Sequence, residues 1–252
     1  MKTADIRHPN CYKKNMSTPI ALFAFDLDGT LADTESLSLP SAVKTMHEGF
    51  GVPVTLEYWY DHLHGLAGQA LMDAIEQHFH IKVNFAEYLH LRAEQMPHIF
   101  AGGVAPAAGM LQAIRKLAAD GNQLCICSNS APDRITLTLG SLSGQHSAGL
   151  NLLDMFDGHI FSATGPQGEG KAKPAPDVYL AAAARYGANP ANCVAVEDSP
   201  VGVQSAIAAG FTCLAYTGLS HHGEADAASL LTAGAHHTFH HWDDFHALLA
   251  KL

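Results

Sequence analysis

The chain has 252 residues, of which 48% are hydrophobic, with 14 basic and 24 acidic side chains and 17 histidines. This length fits one large α/β domain or a core domain that carries a smaller one, and the hydrophobic share excludes general disorder. The formal net charge of −10 provides no basic surface for nucleic acid and would be repelled by an anionic membrane. We therefore expect neither nucleic acid nor a membrane as a partner.

Targeting signals and cysteines favour a cytoplasmic protein. The first 19 residues are polar and lack the apolar run of a secretory signal, so residues 1–18 are predicted to form a loose extension. No stretch approaches the roughly 20 apolar residues of a membrane span. The five cysteines include no CxxC pair, which favours free thiols in a reducing compartment. Nothing resembles a coiled coil, and a monomer is expected.

Short apolar runs, not strictly alternating, are typical of parallel strands buried on both faces. They occur at 20–25, 123–127, 159–162, 193–196 and 212–216. Helical patterns that each stop at a glycine accompany these runs, at 107–119, 133–139, 177–186 and 200–209. The alternation of strand and helix predicts right-handed crossovers and a doubly wound parallel sheet.

The stretch 33–103 has a different pattern. It carries helical periodicity at 43–50, 58–63, 70–80 and 85–100, without a convincing strand. Because it interrupts the chain directly after the first apolar run, we predict a separate small helical domain over 33–103. The core domain would then comprise 19–32 and 104–252, and Gly102 with Gly103 would allow a hinge.

The strongest chemical signal is the run Phe-Asp-Leu-Asp-Gly-Thr at 25–30, which contains Asp26 and Asp28. Residues two apart on an extended chain point to the same side, so both carboxylates would face one pocket at the carboxyl end of the strand. Open α/β sheets bind ligands at that end. Two carboxylates this close repel each other unless a cation lies between them. The alternative, a purely structural turn, would need only one aspartate.

Two further motifs follow later strands. Ser128, Asn129 and Ser130 come directly after the run 123–127, where a hydroxyl and backbone N–H groups form a phosphate cradle. A helix cap by Ser130 is an open alternative, and both can be true. Lys173 precedes Pro174, and this proline with the next one, at 176, stiffens the backbone and fixes where the lysine points.

Glu197 and Asp198 end another buried run, immediately before a predicted helix. A structural role is possible because carboxylates are favoured at the first turn of a helix. Together with Asp26 and Asp28, however, they give four carboxylates at strand ends. Their mutual repulsion calls for a divalent cation, and an all-oxygen ligand set suits Mg²⁺ rather than Zn²⁺.

In this order, the motifs resemble those of the haloacid dehalogenase (HAD) superfamily, and the resemblance extends over nearly the whole chain from about residue 20. The helical insertion after the first motif resembles the C1-cap branch, which includes β-phosphoglucomutase-like and phosphoglycolate phosphatase-like enzymes. The resemblance implies a Rossmann-like α/β core with a doubly wound parallel sheet, an inserted C1-type helical cap that closes over the site, and Mg²⁺ as cofactor.

The resemblance also implies roles for individual residues. Asp26 matches the nucleophile that forms an aspartyl-phosphate, and Asp28 matches the general acid and base. Lys173 matches the lysine that neutralises the charge of the nucleophile and the phosphoryl group. Ser128, with the Asn129 backbone N–H, matches the phosphate-binding motif. Asp198 is expected to bind the metal directly and Glu197 through water, with the Asp28 backbone carbonyl as a further ligand. The expected metal residues are therefore Asp26, Asp28, Glu197 and Asp198.

The predicted function is that of a Mg²⁺-dependent phosphatase for a small phosphate ester. Thr30 favours this over the alternative, a β-phosphoglucomutase-like sugar phosphomutase, in which valine often takes that position. A second alternative is a phosphate-binding or phospho-acceptor signalling protein without turnover, although receiver domains are about half this length and lack the cap.

Substrate choice is expected to depend on the cap. The stretch 63–69 resembles the specificity loop of the family and contains no Lys or Arg, which predicts a neutral sugar or polyol phosphate unless Arg92 or Lys44 supplies charge. His64, Gly65 and Glu35 are candidate substrate residues. The histidine pairs at 221–222, 236–237 and 240–241 fit no standard zinc spacing, so we expect a solvated surface there.

Overall fold

The computed structural model describes residues 19–63, 66, 68–165 and 171–252, so the predicted extension at 1–18 lies outside the described residues. The described strands are β1 (Leu22–Phe25), β2 (Ala32–Asp33), β3 (Ala105–Pro106), β4 (Leu124–Ser128), β5 (Ile160–Ser162), β6 (Cys193–Glu197), β7 (Thr212–Tyr216) and β8 (His237–Phe239). The described helices are α1 (Glu35–Phe50), α2 (Leu56–Tyr58), α3 (Gly68–Phe79), α4 (Phe85–Phe100), α5 (Met110–Ala119), α6 (Pro132–Ser141), α7 (Leu152–Phe156), α8 (Asp177–Arg185), α9 (Pro200–Ala208), α10 (Glu224–Thr232) and α11 (Phe245–Leu249).

A six-stranded sheet forms the core, in the order β5-β4-β1-β6-β7-β8, and all its neighbouring strands are parallel. The first strand lies in the middle, with β4 and β6 on either side, so the strand order reverses at β1. Ligands of open α/β sheets bind outside the carboxyl ends of the strands at such a reversal. The predicted doubly wound α/β core is confirmed.

Strand β1 is buried on both faces because its side chains alternate between two apolar layers. Phe23 and Phe25 pack into one hydrophobic cluster, while Leu22 and Ala24 pack into another on the opposite face. All four residues are fully buried. This explains why the sequence shows a continuous apolar run here rather than an alternation of apolar and polar residues.

The helical insertion lies between β2 and β3, which pair as a two-residue antiparallel ladder. Helices α1, α3 and α4 occupy it, and a π-helical turn at Trp59–Leu63 continues α2. The insertion has a hydrophobic cluster of its own, which includes Met46, Trp59 and Ile75. The predicted inserted helical cap is thus confirmed, and on the basis of this separate cluster we propose the division at residues 33 and 103.

Several elements differ from the sequence prediction. Helix α1 begins at Glu35 rather than at residue 43, and Pro40 lies inside it. Strand β8 and helices α7 and α10 were not predicted; β8 and α7 are only three and five residues long, which is too short for a periodicity to stand out. The acidic stretch at 242–244 predicts the start of a terminal helix, and α11 begins directly after it. None of the described helices combines the length and apolar character that crossing a membrane requires.

Four of the cysteines, Cys125, Cys127, Cys193 and Cys213, are free thiols buried in the strands of the sheet. Burial raises the pKa of each of Cys125, Cys193 and Cys213. These thiols therefore serve as small apolar side chains in the core.

Trp242 is fully buried in an aromatic cluster, with its ring centroid 5.0 Å from that of Phe245 and 6.1 Å from that of Phe25. We expect Trp242→Ala to lower the free energy of unfolding by about 3–5 kcal/mol, because the cavity left behind cannot collapse fully. Urea denaturation measures this change. The control is Leu231→Ala, at a side chain that is 48% exposed, and an equal loss in both variants would contradict the assignment of Trp242 to the core.

Candidate active site

Three neighbouring strands deliver the predicted polar residues to one edge of the sheet. Asp26 follows β1 directly, and its backbone N–H donates to the Val196 carbonyl at 2.9 Å, which continues the β1–β6 ladder by one residue. Ser128 ends β4, and Asp198 follows β6. The carboxyl ends of the three central strands therefore converge, as the sequence analysis expected.

Lys173 lies at the centre of this edge, although it comes from a loop. Its Nζ donates to Asp26 Oδ1 at 2.6 Å, to Glu197 Oε1 at 2.6 Å and to the Cys127 carbonyl at 2.7 Å. The Lys173 backbone N–H donates to Asn129 Oδ1 at 2.8 Å. All three donor positions of the ammonium group are thereby satisfied, and the lysine side chain is only 3% exposed.

The charges of these groups depend on one another. Burial opposes the charge on Lys173, but the attraction of Asp26 and Glu197 outweighs burial and raises the lysine pKa. Burial also raises the pKa of Asp26 to about 8, despite the nearby lysine, and repulsion from Glu197 and Asp28 adds to the effect. The pKa of Asp198 is raised well above its usual range by burial and by repulsion from Asp26 and Glu197. The site therefore carries more negative charge than one lysine stabilises.

Three of the predicted metal residues lie close together. Asp26, Glu197 and Asp198 each offer one carboxylate oxygen within 4.8 Å of the others. The Thr30 hydroxyl donates to Asp198 Oδ1 at 3.2 Å, and Gly29, at a φ of +82°, leaves room for the Asp198 carboxylate where a Cβ atom would overlap it. An all-oxygen cluster suits a divalent cation such as Mg²⁺, and such a cation would stabilise the charged forms of Asp26 and Asp198, whose pKa values are raised.

Glu197 has contacts that the sequence analysis did not predict. Its side chain is fully buried, and Oε1 accepts hydrogen bonds from Lys173 Nζ and from the Tyr179 hydroxyl. Its carboxyl group also lies against Gly202, at the first turns of α9, where a Cβ atom would overlap it. These contacts hold Lys173 beside Asp26. The expected water-mediated role of Glu197 at the metal stays a prediction, and Glu197 belongs to the three-carboxylate cluster.

Asp28 lines the same cleft as Asp26 and Asp198, but its carboxylate has partners of its own. Its Oδ2 accepts a hydrogen bond from Ser130 Oγ at 2.7 Å, and its Oδ1 lies 3.5 Å from Arg134 Nη2. The Asp28 carboxylate is not part of the three-carboxylate cluster. Ser130 does not cap α6 either, because the N-cap position is Ala131. The alternative prediction, that Ser130 caps the N-terminus of a helix, is therefore wrong.

A cleft of about 770 Å³ opens above these residues, between core and insertion. Glu35 lines it, as predicted, and its Oε2 lies 3.6 Å from His221 Nε2. The His221 ring also lies against Tyr60, with centroids 3.9 Å apart, so a core loop contacts the cap. The predicted substrate residues His64 and Gly65 lie outside the described residues.

The histidine pairs that the sequence analysis assigned to a solvated surface differ in their surroundings. His236 and His237 are exposed at or beside the edge strand β8, as expected of a solvated surface. His221 is also partly exposed, at 32%, but it lines the cleft, which the sequence analysis did not anticipate. No spacing signal indicated this, because His221 reaches the site through the loop after β7.

A parallel sheet with acidic strand ends under a helical insertion defines a capped α/β enzyme. The family model of the haloacid dehalogenase-like hydrolases matches residues 20–210 of the sequence, and the chain belongs to this family. The predicted family and hydrolase class are confirmed by this match.

Curated relatives and solved structures agree with the family assignment. The chain is 29% identical to the "Probable pseudouridine-5'-phosphatase" of Drosophila melanogaster, over 74% of this chain and 77% of that protein. It is also 29% identical to the 6-phosphogluconate phosphatase of Escherichia coli (strain K12), over 77% of this chain and 81% of that protein. A HAD family hydrolase from Deinococcus radiodurans R1, solved with bound phosphate and sodium, has a TM-score of 0.71 and 26% identity, over 92% of this chain and 96% of that one.

The contact between Glu197 and Gly202 gives a direct test of the site's packing. We expect Gly202→Ala to lower the free energy of unfolding by about 1–3 kcal/mol, because the added methyl group forces the buried carboxylate to move. Urea denaturation measures the loss. Gly49→Ala is the matched control, since a Cβ atom there makes only an ordinary contact with Leu91. A Gly202→Ala protein as stable as the control would contradict the described packing.

Proposed function

We propose that the protein is a Mg²⁺-dependent phosphatase that hydrolyses a small phosphate monoester through an aspartyl-phosphate on Asp26. The observation that carries this proposal is the Asp26 carboxylate at the reversal point of the sheet, with Lys173 Nζ 2.6 Å from Oδ1 and Asp198 beside it. A carboxylate can accept a phosphoryl group and so divide hydrolysis into two displacements. Phosphoryl transfer otherwise needs mainly positioning and charge neutralisation.

Mg²⁺ would be held by carboxylate oxygens of Asp26 and Asp198, together with the Asp28 backbone carbonyl that the family resemblance implies. When bound, the cation supplies positive charge that stabilises the phosphoryl oxygens. Lys173 adds a second positive charge at Asp26, and the contacts of Glu197 and of the Asn129 side chain hold that lysine in place. Ser128, buried at the end of β4, and the Asn129 backbone N–H would bind the phosphoryl oxygens.

Asp28 would act on the leaving group. In the first displacement its carboxyl group protonates the ester oxygen while the bond between that oxygen and phosphorus breaks and Asp26 becomes bonded to phosphorus. In the second, its carboxylate accepts a proton from water as the water oxygen attacks phosphorus, which releases inorganic phosphate and frees Asp26. The Ser130 hydroxyl donates to Asp28 Oδ2, and the cap excludes bulk water during the first displacement.

The leaving-group side of the cleft favours a neutral sugar or polyol. Its lining includes four carboxylates besides those of the sheet edge, at Asp33, Glu35, Asp61 and Asp226. Among the described lining residues, Lys173 is the only Lys or Arg. Arg92 and Lys44 do not compensate, because Arg92 donates to Ser38 and Ser41 within the cap and Lys44 pairs with Glu48 on its surface. The names of the two relatives support phosphorylated sugar derivatives as the substrate class. One of those names is of an ester with a second anion, 6-phosphogluconate, so the preference for a neutral sugar or polyol rests on the charge of the cleft alone.

Removing the nucleophile tests the proposal directly. We expect wild type to release phosphate from small phosphate monoesters only with Mg²⁺, and Asp26→Asn to lose about a thousandfold or more of this activity. Phosphate release across a metabolite panel, with and without a chelator, is the measurement. Equal release by both proteins would overturn the role of Asp26, transfer of phosphate between sugar positions without release would indicate a mutase, and no turnover would favour a binding or signalling protein.

Substrate charge provides a second test. We expect kcat/KM for uncharged sugar or polyol monophosphates to exceed that for esters with a second anion, such as 6-phosphogluconate or phosphoglycolate, because the cleft repels the extra charge. Asp61→Asn should lower the ratio of these two kcat/KM values by up to about fivefold, because an exposed charge interaction contributes at most about 1 kcal/mol. Asp73→Asn, on α3 and outside the described cleft lining, is the matched control. Phosphoglycolate as the best substrate would contradict this prediction.

A further inference from the structure

Arg134 lies beside Asp28 and is not used by any of the sequence motifs. It belongs to the first turn of α6, and its Nη2 is 3.5 Å from Asp28 Oδ1. Its Nε donates to Thr138 Oγ1 at 3.3 Å, one turn further along the same helix. The side chain is 23% exposed. Two separate contacts therefore fix the direction of the guanidinium plane.

The other side of the guanidinium faces the cap. Its Cζ lies 4.5 Å from the centroid of the Phe100 ring, and Nη1 contacts the Met96 sulfur. Phe100 and Met96 are four residues apart on α4, so they lie on one face of that helix, and both are buried in the hydrophobic cluster of the core. A cation over an aromatic face is attracted by the ring, and the flat guanidinium suits such stacking better than an ammonium group does. Arg134 thus connects the end of α4, where this helix packs on the core, to the carboxylate of Asp28.

The two carboxylate oxygens of Asp28 have different neighbours. Oδ2 accepts from Ser130, while Oδ1 is buried without a hydrogen bond among the described residues and has Arg134 as its ion-pair partner. A side chain held at both oxygens keeps one orientation, whereas a side chain held at one can rotate. An error of about 1 Å in the placement of a catalytic group costs about a hundredfold in rate.

We propose that Arg134 is a positioning residue for Asp28. With Ser130 it holds the carboxyl group in the orientation in which Asp28 can donate a proton to the leaving oxygen. Its contacts with Met96 and Phe100 make that orientation depend on the position of α4. This inference rests on the proposed function, because it assigns Arg134 to the proton transfer of Asp28. It assigns no contact with substrate to Arg134, which is not part of the described cleft lining.

The choice of leaving group separates this role from a structural one. p-Nitrophenolate leaves without protonation, whereas the alkoxide of a sugar or polyol does not. For the alkyl phosphate that wild type hydrolyses fastest, we expect Arg134→Met to lower kcat/KM about 10- to 100-fold. This loss is smaller than the rate acceleration that general acid catalysis usually provides, because Asp28 itself is still present. For p-nitrophenyl phosphate the change should stay within about twofold. Arg134→Lys keeps the positive charge but loses the flat group that stacks on Phe100, and should restore only part of the loss on the alkyl ester.

Two further variants sharpen the test. Asp28→Asn should give the same dependence on the leaving group, and adding Arg134→Met to it should cause no further loss, because both changes remove one function. Arg92→Met is the matched control: this arginine also lies between helices, with Ser41 and Gln95 as partners, but does not contact Asp28. It should show no dependence on the leaving group. Thermal unfolding midpoints report whether each variant folds.

The outcomes separate the inference from the proposed function. Arg134→Met with wild-type activity on both esters, with equal losses on both, or with an additive loss in the Asp28→Asn background would overturn the role of Arg134 while leaving the phosphatase proposal intact. A leaving-group effect of Arg92→Met as large as that of Arg134→Met would also overturn it. A wild-type protein that releases no phosphate from any ester would overturn the proposed function, and the role of Arg134 with it.

Discussion

The structure depends on one buried ammonium group. Lys173 Nζ holds the carboxylates of Asp26 and Glu197 and the Cys127 carbonyl of β4 within 2.7 Å, so three neighbouring strands and a loop meet at a single cation. An ion pair in the interior gains little net stability, because removing charges from water costs about as much as their attraction returns. Such a pair fixes geometry instead. Here it fixes the direction of the Asp26 carboxylate and leaves its other oxygen available.

The balance of charge at this point follows from the same interaction. Lys173 stabilises Asp26 and Glu197, but burial still raises the pKa of Asp26 and Asp198. The excess negative charge makes the site receptive to a divalent cation, and the cation in turn makes it receptive to a phosphate ester. A chain with a formal charge of −10 can therefore bind an anionic substrate, because the positive charge is concentrated at one edge of the sheet.

The sequence predicted the core of the site because the site is built from strand ends. Asp26, Ser128 and Asp198 each end or follow an apolar run, and parallel topology then requires them to meet. Tyr179, Arg134 and His221 were not predicted, since they come from helices and a loop. Nothing in local sequence states which turn of α8 faces Glu197, or that the loop after β7 reaches Tyr60 of the cap. Those contacts depend on helix packing, which links residues 18 to 161 positions apart.

The short ladder of β2 and β3 has a consequence for how this protein could change over time. Ala32 pairs with Pro106 and Asp33 with Ala105, so the chain leaves the core and returns to it at one place. The entropic cost of closing a loop grows only slowly with its length. For the core, the insertion is a loop closed at the β2–β3 ladder, so its size has little effect on the stability of the core. A different insertion joined at the same ladder would leave the strand ends undisturbed. The strand ends and the insertion can therefore vary separately, so that exchange or drift of the insertion would change the surface above the site while Asp26 and Asp198 keep their places.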